Sequence, residues 1–286
     1  MSTTFLKDMW RWFKGRGLVS NLLLILGLGL CSAPVVLGNI SRIEQSKILN
    51  DYHSQIEEVD ESYIEEDMKK AKAYNQALYD LEKGTFTTGS TTLGDESYKS
   101  TLNVTSTGIM GRVIIPAIDV DLPIYHGTEE TALQAGVGHF QPSAFPIGGT
   151  NTRCVLTGHR GAPSSQLFTR LDEIKKNDYI FLEVYKTKIA YQVIKIETIK
   201  PEELSKIKIV EGKDLLTLIT CTPYGINSHR LVVTAERVPY VEGIEEEIGN
   251  KIPSFRELFI TYLPLLFIVF ILFEIFKSRR KKNEAN

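Results

Sequence analysis

The sequence LLTLITCTPYGINSHRLVVTAER, from Leu215 to Arg237, carries the information that decides the fold. An apolar, β-branched run ends at Cys221, a turn-rich segment follows, and Arg230 opens a second apolar run. This pattern predicts two strands joined by a reversing loop. A thiol and a guanidinium would then lie on one rim of a sheet, because the first strand ends where the second begins. We interpret them as a candidate nucleophile and a candidate anion stabiliser.

Short strands are predicted throughout the region that precedes this stretch. Proline and glycine turns separate them, and we place the strands at Gly111–Ile115, Val120–Tyr125, Arg153–Thr157, Tyr179–Val184, Ile189–Ile199, Leu215–Thr222 and Leu231–Val238. Short helices fit Glu129–Ala135, Ser165–Leu171 and Pro201–Lys206. Seven or eight short strands within residues 107–240 predict a mainly β domain, either a closed barrel or a sandwich.

Two different segments lie between residue 38 and this β domain. Residues 38–83 have apolar residues at helical spacing with an acidic break at Asp60, which predicts two helices or one broken helix. Such helices can lift the domain off a membrane, pack on its side or form a solvated stalk. Residues 84–106 are rich in Thr, Ser and Gly and have no period, so we predict a flexible loop or a flap there.

An apolar segment lies near each end of the chain. Residues 18–37 carry no formal charge and residues 258–276 carry only Glu274, and each segment is long enough to cross a bilayer. A cleaved signal peptide is the alternative for the first segment. Basic flanks at 1–17 and 277–286 predict that both termini are cytoplasmic and that the intervening domain, ending in a linker at 241–257, lies outside the cell membrane.

The charge and cysteine counts narrow the function classes. Residues 39–255 hold 23 basic and 31 acidic residues, which argues against a nucleic-acid partner. Three cysteines argue against a disulfide framework, although a single Cys154–Cys221 disulfide would be compatible with the count and would inactivate a nucleophile there. The sequence has no cluster of metal ligands, so we expect neither a metal nor a cofactor.

A thiol nucleophile needs a base or a lowered pKa, because the thiolate is the attacking form. His159 closes an apolar strand and opens a loop with glycines on both sides, as expected for a site on the rim of a rigid domain. The candidate site is therefore Cys221, His159 and Arg230. The alternative is a buried cysteine with a surface histidine and arginine. We assign the remaining histidines elsewhere: His53 to the surface, His126 and His139 to structural hydrogen bonds, and His229 to the strand face opposite Arg230.

These motifs resemble a known family. The segment TLITCTPYGINSHRL resembles the signature of sortases, the thiol transpeptidases of Gram-positive cell surfaces, and LTGHRG resembles their histidine motif. Together with IPAIDVDLPIYHGT and GVGHF, they make the chain look like a class C, pilus-polymerising sortase. The resemblance runs from about Met68 to the C-terminus, and the apolar segment near the C-terminus fits that class.

The resemblance implies a sortase barrel of about eight strands and a division of chemical roles. Cys221 would be the nucleophile, His159 the acid and base, and Arg230 the group that holds the substrate backbone or oxyanion. The substrate would be an LPxTG-like sorting signal, cleaved between Thr and Gly through a thioacyl enzyme. The acceptor would be a lysine amine of a pilin or the amine of a cell-wall peptide, and no cofactor would be needed.

The chain departs from class C in one respect. These enzymes usually carry a lid with an Asp-Pro-aromatic motif, and none occurs in residues 80–106. We therefore expect either an open cleft with a flexible 84–100 segment, or a lid in which Phe86 or Tyr98 takes the part of the plug. Two other functions stay open at this point: a housekeeping sortase that anchors proteins to cell-wall peptide, and a non-catalytic module that binds sorting signals.

Overall fold

A computed structural model of the protein describes residues 17–84, 93–161, 167–244, 248 and 255–283. The chain divides into two compact units. One comprises residues 41–251, and the other comprises residues 1–40 together with 252–286.

The unit that contains both chain ends is helical where it is described. Helix α1 spans Leu18–Glu57, beginning in this unit and ending in the other, and the C-terminal helix, α5, spans Phe255–Asn283. Large apolar side chains are exposed on both helices. Among the described residues, only α1 has an apolar stretch long enough to cross a bilayer, because the apolar part of α5, Thr261–Glu274, is shorter. The membrane segment expected at 258–276 therefore stays a prediction.

The other unit is built on a closed barrel of eight strands, as the sequence predicted. The strands are β1 (Ile109–Ile115), β2 (Val120–His126), β3 (Val137–His139), β4 (Thr152–Thr157), β5 (Tyr179–Val184), β6 (Thr187–Ile199), β7 (Asp214–Thr222) and β8 (His229–Val238). Around the barrel their order is β1-β2-β3-β4-β7-β8-β6-β5, and β5 closes the ring by pairing with β1. Pairing is antiparallel except for β2 with β3 and β4 with β7.

The barrel differs from the expectation at one strand and one helix. Strand β3 lies in the GVGH segment, where the sequence analysis placed no strand. It has only three residues, and its two neighbours, β2 and β4, supply its pairing. The prediction of a helix at Ser165–Leu171 is wrong for the residues that the structure describes. Residues 167–170 form turns, and a 3₁₀ helix begins at Leu171. The other short helices are α4 (Glu130–Ala135) and 3₁₀ turns at Pro116–Ile118 and Pro201–Lys206.

The two N-terminal helices of this unit pack on the side of the barrel. Helix α2 spans Glu61–Glu82, and the Asp60 carboxylate caps it by accepting a hydrogen bond from the backbone N–H of Ser62 at 2.8 Å. Tyr52 and Ile56 of α1 and Tyr74 of α2 belong to the main hydrophobic core. Of the three placements considered for this region, packing on the barrel is correct and a solvated stalk is wrong.

The segment after α2 is not the continuous flexible loop that we expected. Phe86 lies outside the described residues. Helix α3 spans Asp95–Ser100 and buries Tyr98, which is 1% exposed. The Tyr98 hydroxyl accepts a hydrogen bond from the Gly127 N–H at 2.8 Å and lies 3.0 Å from His139 Nδ1. The Tyr98 ring stacks on Phe145, so Tyr98 is a core residue and the proposal that it serves as a plug is wrong.

A buried carboxylate joins the helices to the barrel. Asp67 of α2 is 2% exposed and accepts hydrogen bonds from the Leu102 N–H, at 2.7 Å, and from the Tyr185 hydroxyl. Burial and the neighbouring carboxylate raise the pKa of Tyr185, so this hydroxyl stays protonated and donates. Asp67 thus ties together α2, the segment that follows α3 and the turn between β5 and β6.

We expect Asp67→Ala to lower the free energy of unfolding by about 3 kcal/mol, because it leaves two buried donors without an acceptor at about 1–3 kcal/mol each. Thermal unfolding of the full chain in detergent, followed by near-ultraviolet circular dichroism, measures this loss. The matched control is Glu66→Ala, one position earlier, where an exposed i,i+4 pair with Lys70 is lost. Equal shifts for the two variants would contradict the role given to Asp67.

Candidate functional site

Cys221 and Arg230 face each other across two paired strands. Cys221 on β7 and Arg230 on β8 are direct partners in the antiparallel register. Side chains at such a pair lie on the same face of the sheet, with Cβ atoms about 4.5–5.5 Å apart. Both residues are partly exposed. The Arg230 guanidinium donates to the backbone carbonyls of Asn227 and His229 at 3.1 Å. These bonds hold the guanidinium against the β7–β8 loop.

His159 reaches the same rim through the parallel pairing of β4 with β7. Thr157 is the partner of Ile219, and the Gly158 N–H donates to the Ile219 carbonyl at 3.1 Å. Continuing this register by two residues sets His159 level with Cys221. Gly158 permits the close approach, because a Cβ at this position would lie 2.7 Å from the buried ring of Phe168. The structure therefore brings all three predicted site residues to one end of neighbouring strands.

Arg160 connects the histidine loop to the cysteine strand, and the sequence analysis did not identify it. Its side chain is 4% exposed and forms an ion pair with Asp172 at 2.5 Å. One guanidinium nitrogen, Nη1, donates to Thr222 Oγ1 at 2.9 Å and lies 3.5 Å from the Cys221 carbonyl oxygen. The ring of Tyr224 lies 6.0 Å from the guanidinium carbon. Arg160 therefore fixes the loop after β4 to the end of β7, beside the thiol.

Glu130 is a second residue that the sequence analysis missed. It is the first residue of α4, and its carboxylate oxygens lie 3.2 and 3.3 Å from His159 Nε2. Hydrogen bonds from Gln134 and then from His159 hold the pKa of Glu130 below its usual value. An ionised carboxylate at this nitrogen orients the ring. No sequence signal marks Glu130, since an acid in the first turn of a helix is ordinary.

The remaining histidines are placed largely as predicted. His126 bonds to the backbone carbonyls of Gly108 and Thr101 at 2.9 and 2.7 Å. His139 is fully buried, and this burial lowers its pKa to about 4, so it is neutral near pH 7. The side chain of His53 is 33% exposed and thus lies at the surface, with its Nδ1 3.6 Å from the buried Glu183 carboxylate.

The three cysteines are free. Cys154 pairs in register with Leu216, five positions from Cys221 along β7, so the possible Cys154–Cys221 disulfide is absent. Burial raises the pKa of the Cys154 thiol well above its usual range, which leaves it protonated and unreactive. Of the two thiols in the barrel, Cys221 is the one that solvent and a substrate can reach.

Residues of the metal-binding types do not gather anywhere in the described ranges of the chain. No group of three or more His, Cys, Asp or Glu side chains there could hold a metal ion.

Comparison with known proteins gives a consistent result. The family model described as "Sortase domain" matches residues 113–238. The chain is 40% identical to the crystal structure of sortase C1 from Streptococcus agalactiae, with a TM-score of 0.63, covering 68% of this chain and 100% of that one. It is 35% identical to sortase C from Clostridium perfringens, solved with the C-terminal cell wall sorting motif, with a TM-score of 0.60, covering 68% of this chain and 100% of that one.

Curated relatives agree with this result. Sortase D of Bacillus subtilis is 32% identical over 131 residues, which cover 45% of this chain and 63% of that protein. Sortase A of Streptococcus agalactiae is 28% identical over 225 residues, covering 77% of this chain and 83% of that protein.

We expect Arg160→Met to lower the free energy of unfolding by about 2–3 kcal/mol. Breaking a buried ion pair costs about 3–5 kcal/mol, and we reduce this figure because Asp172 is 26% exposed. Thermal unfolding of the full chain in detergent measures the loss. Arg160→Lys keeps the charge but not the forked contact, so it should recover only part of the stability. Wild-type stability in Arg160→Met would contradict the connecting role of this residue.

Proposed function

Because this chain belongs to the sortase family, we propose that it is a membrane-anchored cysteine transpeptidase that cleaves an LPxTG-like sorting signal between Thr and Gly and transfers the Thr carbonyl to an amine. The observation that supports this most directly is the register of β7. It pairs Cys221 with Arg230 on one side and, on the other, sets the loop with His159 level with the thiol. A nucleophile, a proton carrier and a fixed cation thus meet on one rim.

In the first half-reaction, the Cys221 sulfur attacks the Thr carbonyl carbon as the thiol proton passes to His159. The carbonyl oxygen becomes an oxyanion, which the Arg230 guanidinium stabilises by charge and hydrogen bonds. Arg230 is suited to this role and not to that of a base, because its guanidinium stays protonated. The C–N bond to Gly then breaks, and imidazolium gives its proton to the departing amine. The product is a thioester between Cys221 and Thr.

In the second half-reaction, an amine attacks the thioester carbonyl. His159 takes a proton from the attacking nitrogen, the C–S bond breaks, and the Cys221 sulfur leaves as thiolate or recovers that proton. Glu130 serves both halves by orienting the His159 ring through Nε2. The acceptor is most simply a lysine amine of a pilin, since the structural relatives are class C sortases, and the structure of one of them, from Streptococcus pneumoniae, bears on pilin substrate specificity. A cell-wall peptide amine is the alternative acceptor, favoured by the similarity to sortase A.

The proposed topology follows from the ends of the chain. Residues 18–37 and 258–276 would cross the cell membrane, with residues 1–17 and 277–286 in the cytoplasm. The barrel at 107–240 would then face the outside, where sorting signals and cell-wall peptides are accessible. An N-terminal apolar helix, basic residues before it and basic residues after 276 support this arrangement.

Replacement of the nucleophile tests the proposed activity. Full-length protein in detergent is incubated with an LPxTG peptide and either a pilin-derived lysine peptide or a cell-wall peptide, and the products are mapped by mass spectrometry. The wild type should form a thioester of Cys221 and then an isopeptide bond, and Cys221→Ala should form neither. Cys31→Ser is the matched cysteine control and should keep full activity. Product formation by Cys221→Ala would overturn the enzyme assignment in favour of a binding module.

Glu130→Gln should lower kcat/KM for peptide cleavage by about two- to fivefold. The effect is small because the pair is exposed and solvent screens its attraction. Because the Glu130 pKa lies below its usual value, the carboxylate is ionised and the difference should appear throughout about pH 5–8. High salt should reduce the difference in kcat/KM between the wild type and Glu130→Gln, because it screens the Glu130–His159 pair of the wild type. Glu129→Gln, the preceding position, is the control. A loss of the same size in that variant, or none in Glu130→Gln, would argue against the orienting role.

A further inference from the structure

A pocket lies on the same sheet face as the thiol, at the other end of β7. Its volume is about 220 Å³, and it is lined by β-sheet residues that include Leu215, Glu236 and Arg153, and by Ile207 and Val210 of the β6–β7 loop. Leu215 and Cys221 share a face, because they are six positions apart on one strand. From the pocket towards the thiol the face is apolar. It is formed by the buried cluster of Val155, Ile199, Ile219 and Val232, of which Ile199 and Val232 also line the pocket.

Arg153 gives this pocket a buried positive charge. It is 7% exposed, and its guanidinium donates to the Lys208 carbonyl at 2.6 Å and to Thr217 Oγ1 at 2.8 Å. Both partners are neutral. Within the described part of the chain, no carboxylate lies within ion-pair distance of this guanidinium. Burial lowers its pKa, yet an arginine stays charged in a protein. Glu82 and Glu197 act on Arg153 only from beyond ion-pair distance. A buried positive charge without a carboxylate in contact is costly, and a carboxylate that reached it would relieve that cost.

The charges around the pocket favour an anion at Arg153. Lys195 pairs with Glu197 at 2.8 Å, and Lys213 pairs with Glu236. Both carboxylates in the pocket lining are therefore already engaged by lysines. The lining holds three cations and two carboxylates, and of the three cations Arg153 is the one without a carboxylate in contact, since Glu82 and Glu197 act on it only at longer range.

We propose that this pocket binds an acidic side chain of the substrate, on the N-terminal side of the sorting signal. The inference rests on the proposed function. The acyl half of the substrate stays attached to Cys221 through both half-reactions, whereas the peptide after the cleaved bond departs after the first. A subsite that grips the acyl half therefore contributes to both steps, and for this reason we assign the pocket to that half.

The length of the face sets the position of the acidic residue. Six residues of β7 separate Leu215 from Cys221, about 20 Å at roughly 3.3 Å per residue. An extended substrate covers the same distance with about six residues counted back from the Thr carbonyl. The LPxT part accounts for four of them. The acidic residue should therefore be one of the three residues that directly precede Leu.

The experiment compares peptides that differ only in charge. Each contains Leu-Pro-Xaa-Thr-Gly with Glu or Gln at one of the three preceding positions, and kcat/KM for cleavage is measured with the full chain in detergent. At one position the wild type should prefer Glu over Gln by about tenfold or more, as expected for a hydrogen bond to a buried charge. Arg153→Gln should lose this preference while still cleaving the Gln peptide. The peptide comparison with the wild type needs no variant, so it holds even where Arg153→Gln folds poorly.

A matched control removes an exposed ion pair outside the pocket without changing the net charge. The double variant Glu66→Gln, Lys70→Gln should keep the preference for Glu. Equal cleavage of Glu and Gln peptides by the wild type at all three positions would overturn the inference and leave the proposed function standing. A preference that survives in a folded Arg153→Gln would also overturn it. Absence of any Cys221-dependent cleavage would instead defeat the proposed function, and this inference with it.

Discussion

The pairing of β7 with both of its neighbours is the constraint on which the site depends. Backbone hydrogen bonds on one edge of β7 set β4 parallel to it, and those on the other edge set β8 antiparallel to it. A shift of one residue in either register would turn a whole row of side chains to the opposite face. Cys221 would then no longer share a face with Arg230. The chemistry of the site is thus fixed by main-chain bonds that involve none of the three functional side chains.

The sequence was informative wherever the relevant signal is local. Alternation, turn residues and β-branched runs located seven strands to within two residues at nearly every end, because those patterns report directly on a pleated, half-buried backbone. Cys221 and His159 were found because each is a polar residue that ends an apolar strand. The strand β3 was missed because its three residues have no pattern of their own, and their pairing comes from β2 and β4.

Other features could not be predicted because their partners lie far away in sequence. Tyr98 follows a Thr- and Ser-rich segment that has no period, yet it is buried because His139 and Phe145 stack with it. Asp67 is one acid among several in an amphipathic helix, and only the fold places Tyr185 beside it. Arg160 and Glu130 act on the site through contacts made in space. Long-range contacts of this kind override local propensity, and the pattern of a single sequence does not reveal them.

The contrast between Cys154 and Cys221 shows how alternation separates a buried thiol from an accessible one. Both residues lie in apolar strands, and composition does not distinguish them. Cys154 lies level with Leu216 and joins the main core together with Leu156. Cys221 occupies the alternate set of positions on β7, with Ile219, and lies at the end of the strand where the cover of neighbouring side chains stops. The face of the sheet decides which side chains surround each thiol. The distance of the cysteine from the end of its strand decides whether solvent can reach the thiol. A cysteine near the end of such a row of side chains is therefore more accessible than one in its middle, which is why our proposal places the reaction at Cys221 and an extended substrate along the row behind it.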